Sequence, residues 1–121
     1  VDDHATNRKV LQLFIRPFGM HIVEATNGQE ALARLAEQPF DFVLMDVHMP
    51  IMDGCEAVRR IRSSGADYAG IPIIALTADA LPGDRQKYLA AGMNTYISKP
   101  IDQRELFVAI NKVLEAPSLA A

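Results

Sequence analysis

Phe40-Asp41-Phe42-Val43-Leu44-Met45-Asp46 is a largely apolar run that ends abruptly in a carboxylate. Such a run, rich in Phe, Val and Leu, predicts a strand buried on both faces, the signature of a parallel sheet covered by helices. Asp46 then stands at the strand's carboxyl end, which in open parallel sheets faces the crevice where ligands bind. An acid there also serves as a turn initiator, so this strand alone leaves both readings open.

Working outward, Ile71 to Leu76 predicts a second fully apolar strand, with Thr77 at its end as Asp46 ends the first. Asn94 to Ser98 predicts a short strand running into Lys99-Pro100, and Met20 to Ala25 alternates well enough for another, turned by Asn27-Gly28. Helices fill the intervals. Thr6 and Asn7 offer caps to one with Val10, Leu11, Phe14, Ile15 and Phe18 along one side, stopped at Gly19. Ala31, Leu32, Leu35 and Ala36 give the next its buried stripe, and Asp53-Gly54 opens a third with Val58 and Ile61, closed by Ser63-Ser64-Gly65. Gly83 to Ala91 is weakly amphipathic, and Leu106, Phe107, Ile110, Val113 and Leu114 form the last core face.

Strands alternating with helices at this spacing imply crossover units and a mostly parallel sheet with helices on both faces. Residues 1–115 are expected to be one domain, and 116–121 a linker or tail. Asp2-Asp3 leads into a helix just as Asp46 and Thr77 do, so a strand is expected ahead of it, represented in this sequence by Val1 alone. Without that strand, residues 1–121 are expected not to fold stably.

Composition narrows the function. The 121 residues are 50% hydrophobic, enough for a sizeable core, and the net charge of -3 leaves no basic stripe for nucleic acid. No apolar run approaches the roughly 20 residues of a membrane span, so this segment is expected to be soluble and without membrane contact. The single cysteine, Cys55, excludes a disulfide framework within these residues and suits a cytoplasmic setting. It reads as a half-buried small residue, since no His or second Cys lies nearby in sequence. His4, His21 and His48 are too scattered for a zinc site, and Met45, Met49, Met52 and Met93 read as core and loop filler.

Asp2 and Asp3, Asp46, Thr77 and Lys99 all follow strands and should converge. Clustered carboxylates repel one another unless a cation holds them ionised, and Mg2+, hard and oxygen-seeking, is the natural one. Lys99 supplies a compact positive charge and Thr77 a hydroxyl, both suited to a phosphoryl group on Asp46. The chemistry inferred is phosphoryl transfer to a carboxylate nucleophile. Taken singly, Asp2-Asp3 is an ordinary solvated acid pair and Lys99-Pro100 a turn; their joint spacing carries the reading.

The acid pair Asp2-Asp3, the run Leu44 to Pro50 followed by Met52-Asp53-Gly54, then Leu76-Thr77-Ala78, Ala91-Gly92-Met93 and Ser98-Lys99-Pro100 together resemble the receiver domain of two-component signalling. The resemblance spans essentially the whole chain and is greatest to receivers of hybrid sensor histidine kinases. It implies a flavodoxin-like three-layer α/β/α fold with five parallel strands in the order 2-1-3-4-5, an order that the general account of doubly wound sheets gives for a chemotaxis receiver. It implies Asp46 as phosphoacceptor, and Mg2+ or Mn2+ held by Asp3, Asp46 and the His48 carbonyl, with Asp2 assisting through water. Thr77 and Lys99 would contact the phosphoryl oxygens, Tyr96 would be the linked switch aromatic, and Lys99-Pro100 a cis peptide. His48 and Asp79 would tune the phosphorylated lifetime, an acid at Asp79 being an uncommon choice.

The implied partner is a histidine kinase or histidine phosphotransfer domain, and a transient dimer is compatible with the resemblance. The domain would catalyse its own phosphorylation and dephosphorylation within a parent sensor kinase, which could be membrane-anchored with this segment on the cytoplasmic side. The helix over residues 83–91 is expected to respond most to phosphorylation. A phosphatase using a strand-end Asp nucleophile is the weaker alternative, since it calls for a second Asp where His48 stands. A flavin carrier is disfavoured because Asp2-Asp3 would repel its phosphate. A scaffold receiver that binds without phosphorylation would not need the intact acid set.

Overall fold

Val43–Asp46 (β1), Ile73–Thr77 (β2) and Thr95–Ser98 (β3) lie side by side, all parallel, in the order β1-β2-β3. The computed structural model describes residues 1–47, 49, 52–78 and 82–115. His48 and Asp79, and the tail at 116–121, lie outside the described residues.

Alternation along the strands builds two cores. Val43, Met45, Ile73 and Ala75 join Leu35, Val58 and Ile61 on one face, covered by α2 (Gly28–Glu37), α3 (Gly54–Arg62) and α4 (Pro82–Ala91). Leu44, Ile74, Leu76 and Ile97 join Leu11, Leu106 and Ile110 on the other, covered by α1 (Ala5–Ile15) and α5 (Gln103–Glu115). This is the flavodoxin-like three-layer architecture expected. Every residue of β2 is buried, and at about 1.5–3 kcal/mol for each large apolar side chain it is the most firmly held strand.

Helix starts follow local chemistry. The Asn27 side chain accepts from Glu30 N at 2.9 Å, while Glu30 reaches back to Thr26 N and its hydroxyl, a reciprocal cap for α2. Asp53 caps α3 one way only, its Oδ1 accepting from Glu56 N at 2.8 Å. α1 departs from expectation. It begins at Ala5, not after Thr6 or Asn7, because Asp2 Oδ1 accepts His4 N at 2.8 Å and turns the chain earlier. In α5 the buried stripe is Leu106, Ile110 and Val113, leaving Leu114 45% exposed and Phe107 at the flank, against the Phe18 ring. Ala36 is likewise exposed.

The sheet has three strands among the described residues, not five. Residues 20–25 form no ladder with β1. Between them sits Val1, whose nitrogen donates to Leu44 O at 2.6 Å and whose carbonyl accepts from Asp46 N at 2.9 Å, while Asp2 N donates to Ala25 O at 3.0 Å. Two residues cannot extend a ladder further. Next to Val1 lies a cavity of about 480 Å³ lined by Leu11, Ile22, Ala31, Phe42 and Leu44, among others.

At the sheet's amino end, Arg62 gathers several acceptors: Ile71 O at 2.6 Å, Ala69 O at 2.8 Å, Gly92 O at 2.9 Å and Asn94 Oδ1 at 3.0 Å. Asn94 in turn pairs with both backbone groups of Ile73, at 2.8 Å each.

At the other end, Gly54 N donates to Val47 O at 2.9 Å, drawing the start of α3 against the end of β1. A Cβ at Gly54 would overlap the Asp46 carbonyl and reach within 2.9 Å of Val47 Cα, with only backbone to yield. Gly54→Ala is therefore expected to cost about 1–3 kcal/mol, as overpacking does, measured by urea denaturation of the full chain. Unchanged stability would mean that this close approach is not needed.

Candidate functional site

Hydrogen bonds past the strand ends keep the sheet's carboxyl edge in register. Val47 N donates to Leu76 O at 3.1 Å and Lys99 N to Thr77 O at 2.7 Å. Asp46, Thr77 and Lys99 thus leave neighbouring strands at one edge, and the bonds of Val1 bring Asp2 to the same place. The peptide Lys99-Pro100 is cis, as the resemblance implied.

The ammonium of Lys99 lies between two buried acids, donating to Asp46 Oδ1 at 3.0 Å and standing 3.5 Å from Asp2 Oδ2. Asp2 is 0% exposed and Asp46 2%. Burial pulls the Lys99 ammonium toward its neutral form, but the hydrogen bond and charge of Asp46, with Asp2 behind it, outweigh that and raise its pKa above the ordinary value. Lys99 is therefore charged at neutral pH and can meet an anion there.

Asp2 Oδ2 and Asp3 Oδ1 are buried, yet neither has a hydrogen-bond partner among the described residues. Such atoms are nearly always satisfied in folded proteins, so the pair fits a hard cation bound by oxygen. His4 Nδ1 stands 3.0 Å from Asp3 Oδ1 on a mostly exposed ring. Asp2, Asp3 and His4 are the one such cluster among the described residues, with ligand atoms within 4.8 Å of one another. The expected contribution of the His48 carbonyl falls outside the described residues.

Thr77 is fully buried, and its hydroxyl is 2.9 Å from the Tyr88 hydroxyl. Tyr88 in turn faces Tyr96, with ring centroids 6.3 Å apart. Sequence reasoning named Thr77 and Tyr96 and missed the tyrosine that touches both. The available signal was that a lone aromatic on so weak an apolar stripe must be the helix's anchor. Cys55 is more buried than expected, at 4% exposed, and burial together with Asp53 pushes its thiol up, away from the thiolate form.

The parallel α/β sheet thus presents acids, a hydroxyl and a lysine together at its carboxyl edge. Residues 1–111 match the response regulator receiver domain, and the chain belongs to that family. The sensor histidine kinase GacS of Pseudomonas protegens is 37% identical over 114 residues, covering 93% of this chain and 12% of that protein. The signal transduction histidine-protein kinase BarA of Escherichia coli (strain K12) is 36% identical over 109 residues, 88% of this chain and 11% of that protein. The chain thus corresponds to a small part of the relatives' length. The receiver domain of sensor histidine kinase PA1611 from Pseudomonas aeruginosa PAO1, solved with magnesium in its active site cleft, has a TM-score of 0.86, 36% identity and coverage of 96% of this chain and 94% of its own. The chemotaxis response regulator CheY4 of Vibrio cholerae has a TM-score of 0.86 and 31% identity, covering 93% of each chain. The chain is a receiver domain of the two-component type, and no helix among the described residues is long and apolar enough to cross a membrane.

The raised pKa of Lys99 carries a sign. Its ion pairs stabilise the fold fully below the ordinary lysine value of 10.5, and that stabilisation is lost as pH rises through the higher folded value. Lys99→Met is expected to be less stable than the unsubstituted chain at pH 8, with the difference shrinking above about pH 10.5, read from urea midpoints at each pH. A difference independent of pH would contradict the ion pair.

Proposed function

We propose that this chain takes a phosphoryl group from a phosphohistidine onto Asp46 within a phosphorelay. The observation that carries the reading is the pairing of buried Asp46 with Lys99 at 3.0 Å, beside buried oxygens of Asp2 and Asp3 that accept no hydrogen bond among the described residues. In the reaction, the bond from phosphorus to the donor imidazole nitrogen breaks as one to an Asp46 carboxylate oxygen forms; the donor nitrogen keeps the electron pair and, with a proton already on the other ring nitrogen, leaves as neutral imidazole. Lys99 moves from carboxylate to phosphoryl oxygens, so its charge is already in place when negative charge arrives. Asp3, Asp46 and the His48 carbonyl would hold Mg2+, with Asp2 assisting through water. When bound, the ion neutralises the acids and the incoming phosphoryl group. Mn2+ suits the same oxygens.

Thr77 contacts the phosphoryl group afterwards, and Tyr96 follows it. Asp79 and His48 set how long the product lasts. The domain is residues 1–115, and 116–121 are a linker or tail. The donor is a histidine kinase or histidine phosphotransfer domain, and the parent is a hybrid sensor kinase with this segment in the cytoplasm; the similarity to GacS and BarA supports both. A scaffold receiver would not require a buried Asp46-Lys99 pair.

Asp46→Asn keeps the side chain's size and removes the acceptor. With acetyl phosphate and Mg2+, the unsubstituted full-length protein is expected to gain one phosphoryl mass on the peptide holding Asp46, and the variant none there. Equal labelling would overturn the assignment. Asp3→Asn is expected to weaken Mg2+ binding at least tenfold by calorimetric titration, and unchanged affinity would remove Asp3 from the ion's ligands.

A further inference from the structure

His4 precedes α1 with a ring that does nothing for the helix. It stands at the capping position in extended backbone, yet its side chain makes no capping hydrogen bond, the task that Ser, Thr, Asp or Asn performs there. The turn into the helix is made instead by Asp2, whose Oδ1 accepts His4 N at 2.8 Å. Packing does not account for the ring either, since it is 68% exposed. Its Nδ1 is nonetheless turned to the acids, 3.0 Å from Asp3 Oδ1 and 3.5 Å from Asp2 Oδ1. We infer that His4 Nδ1 is a metal ligand beside Asp3, so that this receiver takes a borderline divalent transition ion such as Zn2+ in preference to Mg2+. The inference rests on the reading of Asp3 as a ligand of the site's cation.

Nδ1 and Asp3 Oδ1 are close without being bonded. They are within hydrogen-bonding distance, yet Asp3 Oδ1 accepts no hydrogen bond among the described residues, so the ring nitrogen and the oxygen lie side by side. Adjacent ligand atoms of one ion lie in this way: about 2.1 Å from the metal and at right angles, they stand about 3.0 Å apart. Burial gives independent support. Asp2 is 0% exposed, and its Oδ2, 3.5 Å from the Lys99 ammonium, accepts no hydrogen bond among the described residues. Asp2, Asp3 and His4 bring their ligand atoms within 4.8 Å of one another. The donor set then decides the ion. Mg2+ is hard and keeps water where an imidazole is offered, whereas Zn2+ accepts carboxylate oxygen and imidazole nitrogen together. Three scattered histidines make no zinc site, but one imidazole beside carboxylates is a different donor set. Pairing with Asp3 as an exposed cation would contribute little by comparison.

The test uses untagged full-length protein, with Zn2+ and Mg2+ as separate probes. The unsubstituted protein is expected to bind Zn2+ more tightly than Mg2+. By calorimetric titration, His4→Ala is expected to weaken Zn2+ binding at least tenfold, a loss that even the outer partners of metal ligands produce, while changing Mg2+ affinity less than twofold. The Mg2+ arm reports whether the acids stay in place, and so separates a lost ligand from a disturbed fold. In the unsubstituted protein, the 15N resonance of His4 Nδ1 is expected to shift far more with Zn2+ than with Mg2+. Zn2+ binding no tighter than Mg2+ binding, unchanged Zn2+ affinity in His4→Ala, an equal loss of both ions, or an Nδ1 resonance that Zn2+ leaves unmoved would overturn His4 as a ligand. Asp3→Asn tells this failure from that of the underlying reading. If it lowers Mg2+ affinity while His4→Ala leaves Zn2+ affinity alone, His4 alone fails; if it changes neither ion, the reading of Asp3 fails and the His4 ligand with it.

Discussion

Two acids can be buried at the edge of this sheet because a single ammonium stands between them. Removing either partner of such an arrangement leaves a charge in a place where water cannot reach it, a cost of several kcal/mol. The geometry that prevents this is set elsewhere. Lys99 reaches Asp46 only because β1, β2 and β3 keep the register that pairs Asp46 with Leu76 and Thr77 with Ser98. A slip of one residue would turn every side chain of a strand to the wrong core. The packing of Val43 to Met45 and of Ile73 to Leu76 into two cores thus decides the electrostatics a few ångströms beyond it.

The two cores divide the labour. The face covered by α1 and α5 holds the amino-terminal acids in place: Arg8, on α1, donates to the Asp2 carbonyl at 2.8 Å and is tied to Glu24 at 3.0 Å. The face covered by α2, α3 and α4 contains Tyr88 and borders Tyr96. The two faces share β2 as a common wall.

Much of this was legible in the chain itself. The apolar runs that end at Asp46 and Thr77 identified the parallel strands because burial on both faces suppresses alternation, and Asp53-Gly54 marked the start of α3 through a cap whose chemistry is local. Asp2, Asp46 and Lys99 were brought together from strand ends alone, since a parallel sheet delivers all its carboxyl termini to one edge. What was not legible depended on partners. Residues 20–25 carry a strand's pattern, but a strand exists only if a neighbour bonds to it, and Val1 offers one residue's worth of ladder. Leu114 fits the periodicity of a core position and is half exposed, because the stripe of α5 is centred on Leu106 and Ile110. Tyr88 was invisible for a related reason. Its importance lies in a bond to Thr77, 11 positions away, and no periodicity encodes that.

The cluster at Arg62 has a mechanical consequence. Its guanidinium holds the carbonyl of Gly92, immediately after α4, together with Asn94 and the loop before β2. The carboxyl end of the helix is thereby fastened to the rigid end of the sheet, while its amino end lies beyond the strand that carries Thr77. A helix pinned at one end swings, and a swing multiplies displacement with distance from the pin. Arg62, at the opposite end of the sheet from Asp46 and Lys99, is the point about which any tilt of α4 would turn.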